Sequence, residues 1–483
     1  MSEHIEGIWY LPENPSNEMI GTLSYSYDSG ITLKILGSFS PNLLVTYDNH
    51  EIINGFTVDG KKISLINCYK HNYKFHAPGI EESFYSAQYL MLGDSYKKIP
   101  GRIFSCFLVH LTGIEDWLDL QLYKITNDYA LKYNKYEYST PDEIIYKIND
   151  DLDVSIIHHT TYQAGPSTNR ISHKSICYLK FTSKSCFEHQ DIPLVIQKIR
   201  LLLTFFTLKP FYADEIKILS PEKRELHSGK FIDVWINFYY HQLSERHTKH
   251  TIEENKFSYL KYLMPYQKVK SSFASLIAGW YTNYDNLTPI LGSFFSQFYL
   301  PENTIENKFL SIIQAIEGYH RRTRKNYSMP KQKFIEMKER ILASVNHEDK
   351  KWLTKKLEYA NEPSLRHRLL ELFEESYSFG FQNILHNSKK LINKIVYTRN
   401  YYTHYEENLK PKILNTDELI KVTEKLVFLL LFLIFKQVGL TNEIIIEILA
   451  SAKDFNIINV FDEISINDQI STKKNKDVIP PST

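Results

Sequence analysis

The run Ile20-Gly21-Thr22-Leu23-Ser24-Tyr25-Ser26-Tyr27, followed by Asp28-Ser29-Gly30 and Ile31-Thr32-Leu33-Lys34-Ile35-Leu36, reads as strand, turn, strand. Apolar and polar side chains alternate on both sides of the turn, the period of a sheet with one buried face. Asp, Ser and Gly between the two runs suit a hairpin. Phe56-Thr57-Val58-Asp59-Gly60-Lys61-Lys62-Ile63-Ser64-Leu65-Ile66 repeats the arrangement around an Asp-Gly pair. Leu43 to Tyr47, Ile103 to Leu111, Tyr178 to Thr182 and Phe231 to Tyr240 are further strand candidates. One segment breaks the pattern. Leu194, Ile196, Ile199, Leu202, Leu203 and Phe206 recur at helical spacing, which predicts a helix over Ile192 to Leu208 with one buried face.

Beyond about residue 260 the texture becomes helical. Candidate helices are Tyr266 to Tyr281, Thr288 to Tyr299, Ile305 to Lys325, Pro330 to Val345, Lys350 to Tyr359, Ser364 to Ser378, Ser388 to His404, Thr416 to Val438 and Thr441 to Ala452. Asn303-Thr304-Ile305-Glu306 and Thr416-Asp417-Glu418 place cap residues and acids at helix starts, Pro330 and Pro363 suit first-turn positions, and Gly439 suits a C-cap. Strands gathered in one half and helices in the other predict an α+β chain with two domains. The expected division is a β-rich domain over residues 1–260, a helical domain over 261–465 and a disordered polar tail over 466–483.

The formal net charge is +1 over 483 residues, so any nucleic-acid site must be a local patch. Residues 321–356 supply one, with 12 Lys or Arg against four acids, and Lys389, Lys390 and Lys394 follow. Four cysteines, Cys68, Cys106, Cys177 and Cys186, lack Cys-x2-Cys spacing and predict reduced thiols in a cytoplasmic protein. His241, His247 and His250 lack the companions of a metal set, so no metal site is assigned. The N-terminus has no signal-peptide core. The apolar run Leu426 to Phe435 is half the length of a membrane span and predicts a buried or interface helix.

Tyr397-Thr398-Arg399-Asn400-Tyr401-Tyr402-Thr403-His404-Tyr405 is the stretch that suggests chemistry. RNA can be cut by its own 2′-hydroxyl, given proton transfer and charge stabilisation on the phosphorane. His does the first near neutral pH and Arg the second. Asn400 would orient a phosphate or the partner His. Tyr401, Tyr402 and Tyr405 would stack on unpaired bases. Pro411 ends the helix beyond His404, whose place near the carbonyl end suits a proton donor. Five residues advance about 140° around a helix, so Arg399 and His404 do not share a face of a straight one. Either the helix distorts there, or another element or a second copy completes the site. Arg-x4-His is short, and chance alone would give about 0.45 such pairs in this composition. Glu317, His320 and Arg321 share a helix face and are either partners of the motif or an intrahelical ion pair.

Three pieces carry a resemblance to the ApeA-like family of bacterial anti-phage proteins. They are Gly7-Ile8-Trp9-Tyr10-Leu11-Pro12 with Gly21-Thr22-Leu23 and Ile31 to Gly37, then Gln314-Ala315-Ile316-Glu317-Gly318-Tyr319-His320-Arg321, then Arg399-Asn400-Tyr401-Tyr402-Thr403-His404. The last two are similar to the first helix and the Arg-x4-His motif of a C-terminal HEPN ribonuclease domain. The resemblance implies a homodimer or higher homo-oligomer whose paired motifs form one cleft. It also implies metal-independent cleavage without a cofactor, leaving a cyclic phosphate, with host tRNA cut in the anticodon loop. The N-terminal domain would then be a sensor or regulator of an unidentified phage trigger. On this reading Arg399 and His404 are catalytic and Asn400 orients. Arg321, Arg322, Arg324, Lys325, Lys390, Lys394, Tyr401 and Tyr402 hold RNA, and no membrane is involved. The rival is a non-catalytic RNA-binding or homodimeric scaffold protein of a defence system.

Overall fold

A computed structural model describes residues 3–26, 30–40, 48–75, 79–120, 122–128, 133–165, 170–226, 228–240, 262–299, 303–377 and 388–452. Leu43 to Tyr47, the His241, His247 and His250 group and the expected tail lie outside them. The chain divides into two compact units, Met1–Ala274 and Ser275–Thr483. The first is β-rich and the second helical, which is the α+β division expected.

In the first unit, β1 (Glu3–Leu11), β2 (Asn14–Ser26), β3 (Gly30–Leu36), β4 (Asn49–Thr57), β5 (Lys62–Phe75) and β6 (Glu81–Leu92) run antiparallel in the order β6-β3-β2-β1-β4-β5. Pairing of β5 back onto β6 closes a barrel. Both expected hairpins form. β2 meets β3 from Gly21↔Ile35 to Ser26↔Gly30, and β4 meets β5 around Gly60, whose positive φ suits the turn. Alternation does the sorting, since Leu23, Tyr25, Ile31, Leu33 and Ile35 point inward against Trp9, Leu65 and Tyr85. The sheet continues from β6 through β14 (Phe231–Tyr240), β13 (Ala213–Glu225), β7 (Phe104–Leu111), β12 (Arg170–Phe187), β11 (Leu152–Gly165) and β10 (Ile144–Lys147). A separate hairpin pairs β8 (Tyr123–Asp128) with β9 (Tyr133–Tyr138).

Two short helices and one longer one belong to this unit: α1 (Ile114–Leu118), α2 (Asp191–Thr207) and α3 (Tyr266–Val269). The buried stripe of α2 is Ile192, Ile196, Ile199, Leu203 and Phe206. Leu194 is 59% exposed, a correction to the expected face. It lies two residues from Ile192, about 200° around the helix. The expected helix from Tyr266 to Tyr281 is broken by a turn at 270–272. Tyr266 and Phe273 pack with Trp117 and Phe206, while Met264 accepts from the Trp117 indole at 2.9 Å.

The second unit contains most of α4 (Phe273–Tyr299). This one helix replaces two expected segments, because Pro289 sits inside it without ending it. The bundle is built from α5 (Ile305–Thr323), α8 (Leu365–Tyr377), α9 (Ser388–His404) and α10 (Thr416–Gln437), which pack on one another. Between α5 and α8 run α6 (Lys331–Ala343) and α7 (His347–Lys356); α11 (Asn442–Ala452) follows α10. Asn415 and Glu418 form a capping box on α10, so the cap lies one residue before Thr416. At its other end Gly439, at φ +98°, lets Leu440 N–H reach Phe435 O at 3.0 Å. Leu426 and Phe428 to Phe435 are buried within the chain, which makes this run core and not an open surface. No helix among the described residues is long and apolar enough to cross a membrane.

Candidate functional site

Ile392, Ile395 and Thr398 face the bundle from α9, at i, i+3 and i+6. The buried Thr398 hydroxyl donates to Lys394 O at 2.7 Å and accepts Leu414 N–H at 3.0 Å, tying α9 to the start of α10. The helix runs unbroken through His404 and stops because Tyr405 adopts φ +54°, its N–H reaching Tyr401 O at 2.6 Å. Pro411 lies in the 3-10 segment Glu407–Lys412 that follows. A regular helix to His404 leaves Arg399 and His404 about 140° apart, without the distortion that could have brought them together.

Arg399 and Asn400 are half-buried and His404 is exposed in the last turn. Arg399 Nη1 donates to Asn400 Oδ1 at 3.3 Å, and Thr403 Oγ1 donates to Arg399 O at 2.7 Å. The Tyr401 ring lies 5.4 Å from Tyr402 and 5.8 Å from Tyr405, an aromatic ledge beside the motif. Burial pushes the Tyr402 phenol up, with the Glu306 carboxylate adding to it, so the end of α9 lies near the start of α5.

His320 and Arg321 lie toward the other end of α5, about 21 Å along the helix from Glu306 at 1.5 Å per residue. His320 is fully buried. Arg368 Nη1, which can only donate, gives a hydrogen bond to His320 Nδ1 at 2.9 Å, so Nε2 carries the proton and donates to Glu371 at 2.9 Å. Burial, with the Arg368 and Arg324 charges, holds this imidazole below its ordinary value despite Glu371. Arg321 pairs with Glu362 at 2.8 Å and reaches Glu317 at 3.6 Å. Among the described residues no hydrogen bond or ion pair joins Glu317, His320 or Arg321 to Arg399 or His404.

Of the candidate RNA-holding cations, Arg324 pairs with Glu375 at 2.5 Å and Lys394 with Glu418 at 2.7 Å. Arg322 donates to Asn286 O at 3.3 Å. Lys325 and Lys390 are exposed. Of the nine exposed cations within residues 321–356, six lie on α6 and α7.

A family model described as ApeA N-terminal domain 1 matches residues 4–280, and one described as Apea-like HEPN matches residues 310–444. The chain belongs to the ApeA-like family. No curated protein and no solved structure matches it. The Apea-like HEPN match covers α8, α9 and α10 whole and most of α5, with both Arg399 and His404 inside it. Such a domain supports a defence-related role in RNA cleavage or binding.

Sequence reasoning missed Arg368. It sits on an apolar stripe with Leu365, Leu369 and Leu372, a placement that marks a charge turned toward the core. It also missed a polar group in the ApeA-type N-terminal domain. There His110 on β7 bonds Asp214 through Nδ1 and Glu115 through Nε2, while Tyr178 bonds Glu215 beside Lys217. Burial alone would push the His110 imidazole down, but the two carboxylates outweigh it and hold its pKa at about 10. The pairing joins residues 104 apart in sequence, a separation that local pattern does not reveal. Among the described residues no group of His, Cys, Asp and Glu is arranged to hold a metal ion.

Proposed function

We propose that this protein is an anti-phage endoribonuclease that cuts RNA, host tRNA in its anticodon loop, at a composite site formed by two copies of the Arg399–His404 motif. The observation that carries the reading is the motif's position: within the Apea-like HEPN match, at the solvent-facing end of a helix, with His404 exposed. A straight helix sets the two side chains about 140° apart, so one copy does not close a site, and a second copy supplies the facing pair.

In the proposed reaction a 2′-hydroxyl attacks the adjacent phosphorus and the bond to the 5′ oxygen breaks. The products are a 2′,3′-cyclic phosphate and a 5′-hydroxyl. One His404 takes the proton from the 2′ oxygen and the other returns a proton to the leaving oxygen. Arg399 stabilises the phosphorane charge, Asn400 orients the guanidinium or the phosphate, and Tyr401 and Tyr402 stack on exposed bases. The nucleophile belongs to the substrate, so the step calls for no metal. Arg321, Arg322, Arg324, Lys325, Lys390 and Lys394 contribute positive field toward the RNA backbone. The N-terminal domain acts as sensor or regulator.

Sequencing of RNA ends from infected and uninfected cells tests this. Expression of the wild type should yield new tRNA ends on infection, and His404→Ala should not. The same ends in both strains would refute the assignment.

A further inference from the structure

The segment between α5 and α8 has few of the attachments that hold the rest of the helical unit. Helix α7 has no buried residue, and α6 buries only Phe334. A ten-residue helix without a packed face is marginal in water. What fixes this pair is its neck. Asn361 O accepts from Ser328 N at 2.7 Å, Asn361 Oδ1 accepts from Met329 N at 3.0 Å, and Asn361 Nδ2 donates to Met329 O at 3.0 Å. Below that clamp the buried Arg368 gives hydrogen bonds to Asn326 Oδ1 at 2.6 Å and Pro363 O at 3.1 Å while holding His320 on α5. Both strands of the neck are thus pinned to the bundle, and α6 with α7 forms an arm.

The arm's surface has a consistent chemistry. Helix α7 carries Lys350, Lys351, Lys355 and Lys356, and α6 carries four more cations, against two acids on each helix. Among the described residues none of these eight cations is in an ion pair, whereas Arg321, Arg324, Lys394 and Lys436 all are. Of the chain's five tryptophans only Trp352, on α7, is exposed, at 62%; Tyr359 just beyond is 68% exposed. Trp352 lies three and four residues before Lys355 and Lys356, so all three share one face. Uncompensated cations beside an exposed indole fit a chain of phosphates with unstacked bases.

We propose that the α6–α7 arm is a docking site for an unpaired RNA stretch, separate from the Arg399–His404 motif, with the α7 lysines on the phosphates and Trp352 stacked on a base. This rests on the reading of the protein as one that acts on RNA. Trp352 and Tyr359 set its preference for single strands, and the neck formed by Asn361, Arg368 and His320 positions the arm on the bundle.

The test uses the full-length chain carrying His404→Ala, with a single-stranded RNA and a duplex of equal length titrated over a range of salt. Lys351, Lys355 and Lys356 changed together to Ala should flatten the slope of log affinity against log salt by about 2, at about 0.7 for each phosphate no longer neutralised. Trp352→Ala should leave that slope alone and weaken single-strand binding about tenfold, without affecting the duplex. Both variants should keep the parent's thermal transition, since the changed side chains are exposed. Parent-like affinity in either variant overturns the proposal, as does equal loss on duplex and single strand. Loss of binding to phosphatidylserine vesicles with RNA affinity intact would assign the arm to a lipid surface instead. The nuclease reading fails separately: it is refuted if the His404→Ala parent cuts RNA as fast as the wild type, whatever the arm variants do.

Discussion

Arg368 makes hydrogen bonds to His320, Asn326 and Pro363 while fully buried, so its removal would strand three polar groups and open a cavity. Arg368→Ala should destabilise the helical unit by ~3 kcal/mol, read from urea unfolding, since breaking a buried polar network by deleting one member leaves its partners unpaired. A second residue-scale expectation concerns His110. Its pKa is raised to about 10 in the folded chain, so the stabilisation it gives is complete below its unfolded value of about 6.5 and is lost as pH rises toward 10. His320 has the opposite sign: its imidazole is depressed, so its contribution is present above about 6.5 and declines as pH falls below that. His110→Gln should therefore flatten the loss of N-terminal-unit stability between pH 7 and 10. An unchanged alkaline slope in thermal melts would contradict this.

At the scale of elements, α4 approaches the end of α10 so closely that a Cβ on Gly279 would stand 2.1 Å from Val438 O. Gly279→Ala forces the backbones apart and should cost ~1–3 kcal/mol, measured as a lower chemical denaturation midpoint. Which elements the sequence revealed follows from the range of their causes. Helix α9 was legible over Ser388 to His404, and β14 over Phe231 to Tyr240, because periodicity and stop signals are local. The 262–273 segment misled, since its aromatics pack on Trp117 and Phe206, partners far away in sequence. Strands β11 and β13 alternate only briefly, at Leu152, Val154 and Ile156 in one and Ile216 and Ile218 in the other, before each runs on into a polar stretch with no strand period. The candidate site divides the same way. Its motif and its helix end could be read directly, whereas the distance of His320 and Arg321 from it depends on how α5, α8 and α9 pack.

At the scale of the whole molecule, the chain joins an ApeA-type N-terminal domain to an Apea-like HEPN bundle. In the proposed function the motif on α9 transfers protons during RNA cleavage by the substrate's own 2′-hydroxyl. The direct measurement is the rate at which purified full-length protein generates 2′,3′-cyclic phosphate ends on tRNA in EDTA, for the wild type and His404→Ala. The wild type should cleave without metal, and the variant should be slower by roughly 10²–10⁴-fold, the usual contribution of a general acid or base. Equal rates in the two proteins, or cleavage that appears only with added magnesium, would contradict that proposal.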